Sequence, residues 1–272
     1  MLTPRVFFAR RLLAALLLSM AVAVPTHVQA QAKPDYKPEV GQSGKDVVWV
    51  PSPDQLVDKM LDMAKVTPAD YLMDLGSGDG RTVIAAAKRG VRALGVEYNP
   101  DMVVLSRRNA EQAGTKGLAT FVEGDIFLTD LTKATVITLF LLPDLNVKLR
   151  PTILTMKPGT RIVSNTFRMG DWTPDETVEL GCGSYCTAFL WIVPAKVEGS
   201  WKSVQGDLVL KQEYQMISGT MGAAPLANGK LSADQISFSA NGTQYTGRVA
   251  GNSIEGTFKS STGSGPWKAT RG

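Results

Sequence analysis

The stretch Asp74-Leu75-Gly76-Ser77-Gly78-Asp79-Gly80-Arg81 is the part of this chain best suited to chemistry. Its three glycines stand at alternate positions, directly after a short apolar run, Tyr71 to Leu75. A turn of this kind lets a ligand lie against bare backbone beside the N-terminus of a following helix. Spacing narrows the choice of ligand. A dinucleotide loop reads G-x-G-x-x-G and would put its third glycine at 81, where Arg81 stands. A phosphate loop needs G-x-x-x-x-G-K-[ST], which is absent. The loop therefore suits a cofactor without phosphate. Two further acids follow. Glu97 closes the apolar run Ala93 to Val96, and Asp125 closes the next one in Glu123-Gly124-Asp125-Ile126. In doubly wound folds an acid after the second strand bonds ribose hydroxyls, and successive strand ends converge on one crevice. Singly, Asp74, Glu97 and Asp125 read as surface charges. As a set, each directly after an apolar strand, they read as a binding site.

The elements that must position these residues are legible as alternating periods. Apolar residues recur at helical spacing over Ser52 to Lys65 after the cap-like Ser52-Pro53, over Arg81 to Arg89 and over Pro100 to Ala113. Leu145 to Met156 also reads as a helix, stopped by Pro158-Gly159. Strands are expected at 71–75, 93–96, 118–122, 135–141 and 161–165. This alternation predicts a parallel sheet with helices on both faces. From about Val197 the composition turns to Gly, Ser and Thr, with alternating residues such as Leu208, Leu210, Tyr214 and Met216. Asn241-Gly242 between two alternating runs signals a hairpin, and Ile217-Ser218-Gly219-Thr220 echoes Ile254-Glu255-Gly256-Thr257. Residues 197–272 are expected to form a small antiparallel β meander or barrel.

The ends bound the remaining possibilities. Arg5, Arg10 and Arg11 precede the uncharged apolar stretch Leu12 to Val24, and small residues follow at Val28-Gln29-Ala30 and Ala30-Gln31-Ala32. Residues 1–30 therefore read as a cleaved export signal, with an uncleaved membrane anchor as the alternative. Either reading puts the domain in the periplasm or outside the cell. Residues 31–46 read as a polar linker. The full chain carries a net charge of +4, but beyond residue 30 it holds 26 basic against 25 acidic residues. There is no basic block of the kind that binds nucleic acid. The single histidine, His27, lies in the signal, so a processed chain would have neither a serine–histidine triad nor a histidine metal site. Cys182 and Cys186 are the only cysteines, and export favours a disulfide between them over a metal site.

The Asp-x-Gly-x-Gly-x-Gly loop, the Gly95-Val96-Glu97 strand end and Gly124-Asp125-Ile126 resemble class I S-adenosylmethionine (SAM) dependent methyltransferases. More closely, Asp74 to Lys88, Gly95 to Pro100, Leu139 to Asn146, Lys157 to Ser164 and Met169 to Asp175 resemble bacterial relatives of the ATP synthase c-subunit lysine methyltransferase. The likeness covers about residues 47–195. It implies an α/β fold: a Rossmann-like class I methyltransferase sheet, joined here to the small C-terminal antiparallel β domain. It also implies site roles. Asp74, Gly76, Gly78 and Gly80 would form the loop beside the methionine part of SAM, and Glu97 would hold the ribose. Asp125 would meet the adenine amine, with Ile126 packing nearby, and Val50 to Pro53 would close over the cofactor. Leu142, Pro143 and Asn146 would form the slot for the methyl acceptor, a protein lysine or a small amine. No metal is implied. Two features depart from the family, the export signal and the β tail. They raise the alternative of an exported, non-catalytic SAM-fold binding protein whose tail docks on an envelope or membrane-associated partner. A nicotinamide oxidoreductase conflicts with the glycine spacing.

Overall fold

The computed structural model describes residues 1–3 and 36–272. The export signal, its cleavage sites and His27 are read from residues outside this set. Tyr36–Gly272 forms one compact unit.

Its first part alternates as the sequence predicts: α1 (Asp54–Met63), β1 (Tyr71–Leu75), α2 (Arg81–Lys88), β2 (Arg92–Glu97), α3 (Pro100–Gln112), β3 (Ala119–Glu123), β4 (Val136–Leu139), α4 (Pro143–Ile153) and β5 (Arg161–Asn165). β6 (Glu176–Glu179) and β7 (Thr187–Ile192) then close the sheet. Strand order is β3-β2-β1-β4-β5-β7-β6. The first five strands are parallel, whereas β7 runs antiparallel to both β5 and β6. The order reverses between β1 and β4, where Leu75 pairs with Val96 on one side and Leu139 on the other. A doubly wound sheet binds ligands at such a reversal, beyond the carboxyl ends of its strands.

Alternation along β1 divides the interior. Leu72 joins a core shared with α1, α2 and α3, while Met73 and Leu75 join a core on the opposite face with Leu149 and Ile153 of α4. Helix ends differ in detail from the expectation. α4 begins at Pro143 rather than Leu145, since proline suits the first helical position where no N–H bond is needed. Ser52 caps nothing: Pro53 is the N-cap of α1, and the Ser52 hydroxyl instead accepts a 3.0 Å bond from Asn165 Nδ2.

The second part is a closed eight-stranded antiparallel barrel: β8 (Gly199–Ser203), β9 (Leu208–Glu213), β10 (Met216–Met221), β11 (Ala224–Ser232), β12 (Gln235–Ala240), β13 (Thr243–Ala250), β14 (Ser253–Lys259) and β15 (Ser264–Arg271). Asn241-Gly242 turns β12 into β13 with φ of 48° and 73°, the left-handed pair a tight hairpin requires. Phe238, Tyr245 and Trp267 pack at the centre with ring centroids 5.0–5.6 Å apart, so the barrel is filled. Barrel and sheet are joined by a buried polar contact. Trp172 Nε1 donates to Gln215 Oε1 at 2.8 Å, Gln215 Nε2 donates to the Thr173 carbonyl, and Tyr214 stacks on Trp172 at 5.8 Å.

Candidate active site

The glycine loop sits where β1 gives way to α2. Gly80 has a φ of +84°, and a Cβ there would come within 2.7 Å of Phe121 and Ser106. It lets the chain enter α2 tight against α3 and β3. Gly95 on β2 is needed for a different reason: a Cβ there would sit 2.6 Å from Ser77 Oγ, so the loop rests on bare backbone.

Above the loop opens a cleft of about 460 Å³. Asp74, Gly76 and Gly78 line it, as does Glu97 from the end of β2. Gly80 lies beneath it. Glu97 is already engaged: Oε2 accepts from the Gly78 N–H and Oε1 from the Asn99 N–H, both at 2.9 Å. It thereby ties the loop to the start of α3, and each oxygen keeps a lone pair for a ligand hydroxyl. Asp74 is buried, with the Thr138 hydroxyl donating to Oδ1 at 2.6 Å. Burial, reinforced by the nearby negative charges of Glu97 and Asp79, pushes its carboxyl up to about 7 despite that bond.

Residues 36–52 form a strap across the cleft. Gln42 to Asp46 fall within the expected linker, yet all but Lys45 line the cavity. The strap folds on itself by a Ser43–Val48 bridge. Trp49 presses its indole on the loop, where a Cβ on Gly78 would meet Nε1 at 2.7 Å. Val50, Pro51 and Ser52 complete this wall, and the Ser52 carbonyl accepts from Arg81 Nη1 at 2.8 Å.

Asp125 and Ile126 stand beside the cleft and do not line it. Asp125 Oδ2 accepts from Lys45 Nζ at 2.7 Å and Oδ1 from the Phe127 N–H at 2.9 Å. The Lys45 ammonium, above all, holds the Asp125 carboxyl below its ordinary range. Ile126 packs against the α4-side core.

At the opposite end Leu142 lines the cleft, but Pro143 and Asn146 do not. Asn146 is fully buried. Its Nδ2 donates to the Phe167 and Arg168 carbonyls at 3.2 and 3.4 Å, and its Oδ1 has no partner among the described residues. Ser164 Oγ also donates to the Phe167 carbonyl, at 2.8 Å. Asn146 thus fixes the turn that presents Phe167. Phe140, Phe167 and Tyr185 form an aromatic wall at this end, with centroids 6.0, 5.5 and 6.1 Å apart. Sequence reasoning missed this wall, because its members come from three separate segments. Cys182 and Cys186 are paired at disulfide distance, Cα atoms 5.6 Å apart, between β6 and β7.

Comparison with known proteins identifies the frame. The model of the ANTKMT methyltransferase domain matches residues 74–176. A protein-lysine N-methyltransferase of Saccharolobus islandicus is 40% identical over 151 residues, 54% of this chain and 94% of that protein. The chain belongs to the SAM-dependent protein-lysine N-methyltransferase family. The mouse lysine N-methyltransferase of the ATP synthase c-subunit is 35% identical over 134 residues; there the match spans 49% of this chain and about half, 54%, of the mouse protein. A solved structure described as an RNA methyltransferase from Salinibacter ruber with S-adenosylhomocysteine is 47% identical, with a TM-score of 0.52 over 54% of this chain and 96% of that one.

Proposed function

We propose that this cleft transfers a methyl group from SAM to a lysine side chain of a protein. The observation that carries the reading is the cleft's charge. Among the described residues, Asp46, Asp74, Asp79 and Glu97 line it against a single cation, Arg81, whose guanidinium is already bonded to Asp79 at 2.6 Å. Such a lining favours a cationic cofactor and a cationic acceptor over a phosphate backbone.

The residues fit SAM. Gly76 and Gly78 bring bare backbone to the cleft wall, Gly78 beneath the Trp49 indole, Glu97 keeps acceptor capacity for ribose hydroxyls, and the buried Asp74 answers the positive charge of the methionine part. Asp125 and Ile126 serve the adenine end once Lys45 swings aside. SAM supplies a methyl carbon activated by its sulfonium charge: the acceptor lone pair forms the N–C bond as the C–S bond breaks and sulfur keeps the electron pair. The chain's task is to align that acceptor and make its nitrogen available. A lysine amine has an ordinary pKa of ~10.4 and must shed a proton, which apolar surroundings favour. Leu141 and Leu142 provide those surroundings, and the proton leaves to water at the open mouth. Pro143 starts α4 at the point that aims Leu142, and Asn146 holds the Phe167 turn.

An acceptor nucleobase is the second reading, raised by the description of the Salinibacter ruber protein as an RNA methyltransferase and by rings able to stack on a base. We further propose that the chain acts outside the cytoplasm, on the strength of the signal-like residues 1–30. The test uses full-length protein, tritiated SAM and a cell extract. Label destroyed by protease and resistant to RNase is expected. RNase-sensitive label would replace the lysine reading.

A further inference from the structure

Phe140, Phe167 and Tyr185 are arranged in a way that core packing does not account for. Phe140 follows β4, Phe167 sits in the turn after β5, and Tyr185 comes from the loop between β6 and β7. Each ring touches the other two, and all three border the cleft. Tyr185 is 42% exposed, so this wall does not serve to fill an interior. It faces a cavity whose remaining charges are mostly carboxylates. Ring faces carry negative potential and attract cations, alkylammonium groups in particular.

How Tyr185 is held is equally specific. Its φ is +60°, a conformation a tyrosine rarely adopts. It lies in a loop containing Gly181 and Gly183, both at positive φ, which gives the segment little stiffness of its own. The loop is closed at its base by the Leu180 N–H donating to the Cys186 carbonyl at 3.1 Å and by the Cys182–Cys186 link. Cys186 is buried in the α1-side core, so the link ties the loop to the body of the sheet.

We infer that Phe140, Phe167 and Tyr185 form the seat for the acceptor's ammonium group, and that the Cys182–Cys186 link positions Tyr185 in that seat. The inference rests on the lysine reading above. The seat captures the amine in its protonated form, the dominant one in water, before the proton is lost. Dithiothreitol would open the link to two thiols, itself becoming a cyclic disulfide, and would free Tyr185 without touching the glycine loop.

The test has two parts, both on the full chain. In the first, calorimetry with S-adenosylhomocysteine present compares Nε-trimethyllysine amide with its neutral carbon isostere. The charged probe should bind more tightly, by about five-fold or more, the scale of a cation over an aromatic face. Tyr185→Ala should lose most of that preference and keep its affinity for S-adenosylhomocysteine. Equal affinity for the two probes in the wild type overturns the seat. In the second part, dithiothreitol should weaken trimethyllysine amide binding in the wild type and in Tyr185→Phe, but not in Tyr185→Ala. A Cys182→Ser/Cys186→Ser variant should match the reduced wild type. Identical binding before and after reduction overturns the positioning role. A wild type that methylates no lysine at all would instead refute the function on which the inference rests. Lysine methylation with unchanged probe binding in Tyr185→Ala would refute the inference alone.

Discussion

Asp74 carries an electrostatic cost that can be measured. Its carboxyl is buried, is lifted to about 7, and among the described residues is compensated by the Thr138 hydroxyl alone. In the unfolded chain it would titrate near its ordinary value of 3.8. The folded pKa exceeds the unfolded one, so the native state binds more protons between the two, and stability falls as pH rises across that window. Above pH 7 the loss is complete. A shift of about three units at about 1.4 kcal/mol each sets an upper bound near 4 kcal/mol, and relaxation brings the expectation to about 2–4 kcal/mol. Asp74→Asn keeps an acceptor for Thr138 and removes the charge. Without cofactor the variant should therefore exceed the wild type in stability by that amount at pH 8. The gap should narrow steadily below pH 7, fall to about a quarter of its full size at pH 4.5 and vanish only below the ordinary carboxyl value of 3.8. Urea unfolding at half-unit pH steps reads this directly. The same charge should serve the cationic cofactor, so wild-type SAM affinity should rise with pH up to about 7 and that of the variant should stay flat. A gap independent of pH, or a variant less stable at pH 8, would show that Asp74 is not the buried charge described.

Glu97→Ala should weaken SAM binding by about 1.5–3 kcal/mol in calorimetry, the scale of bonds to a charged group, because it loses both the ribose contact and the Gly78 tie. Lys45→Ala should free Asp125 and strengthen SAM binding only slightly, because solvent screens this exposed ion pair; weaker binding would mean that the strap holds the cofactor. Asn146→Ala should lower turnover on a protein acceptor with little change in SAM affinity, as the Phe167 turn loosens. Trp172→Ala should cost about 3–5 kcal/mol in a denaturant titration, since a buried indole and its Gln215 bond are both lost. Intact mass of protein recovered from the producing cell under non-reducing conditions should show a chain beginning near Gln31 or Lys33 with the two cysteines oxidised; a full-length chain with two free thiols would refute both.

What the sequence disclosed were features with short-range causes. The Asp74–Gly80 loop, the acid after β2 and the Asn241-Gly242 hairpin are each specified by a few adjacent residues whose backbone requirements are local. The eight-stranded closure of the barrel needed distant pairings, yet alternation and glycine content sufficed to mark the segment as antiparallel. Of the strap, only Val50 to Pro53 was anticipated, from the family likeness; residues 42–49 were not, because their polar, glycine-bearing stretch resembles a linker until Trp49 finds the loop. Asp125 was placed by its position at a strand end, but its side chain answers to Lys45, eighty residues earlier. The aromatic wall was hidden for the same reason. Phe140 reads as the tail of a core strand, and nothing local in Phe167 or Tyr185 records that both meet it. Leu142 was found in the cleft, while Pro143 and Asn146 do not line it, Asn146 being buried against the Phe167 turn.

The proposed reaction passes a methyl group from SAM to a protein lysine through this cleft. Full-length protein incubated with SAM bearing a deuterated methyl group and a cell extract, followed by tandem mass spectrometry of the digested proteins, addresses it most directly. Deuterated methyl on the Nε atom of specific lysines, lost with Glu97→Ala, is the predicted result. Deuterated methyl confined to nucleobases or to other side chains, or label on lysines that is indifferent to Glu97→Ala, would contradict it.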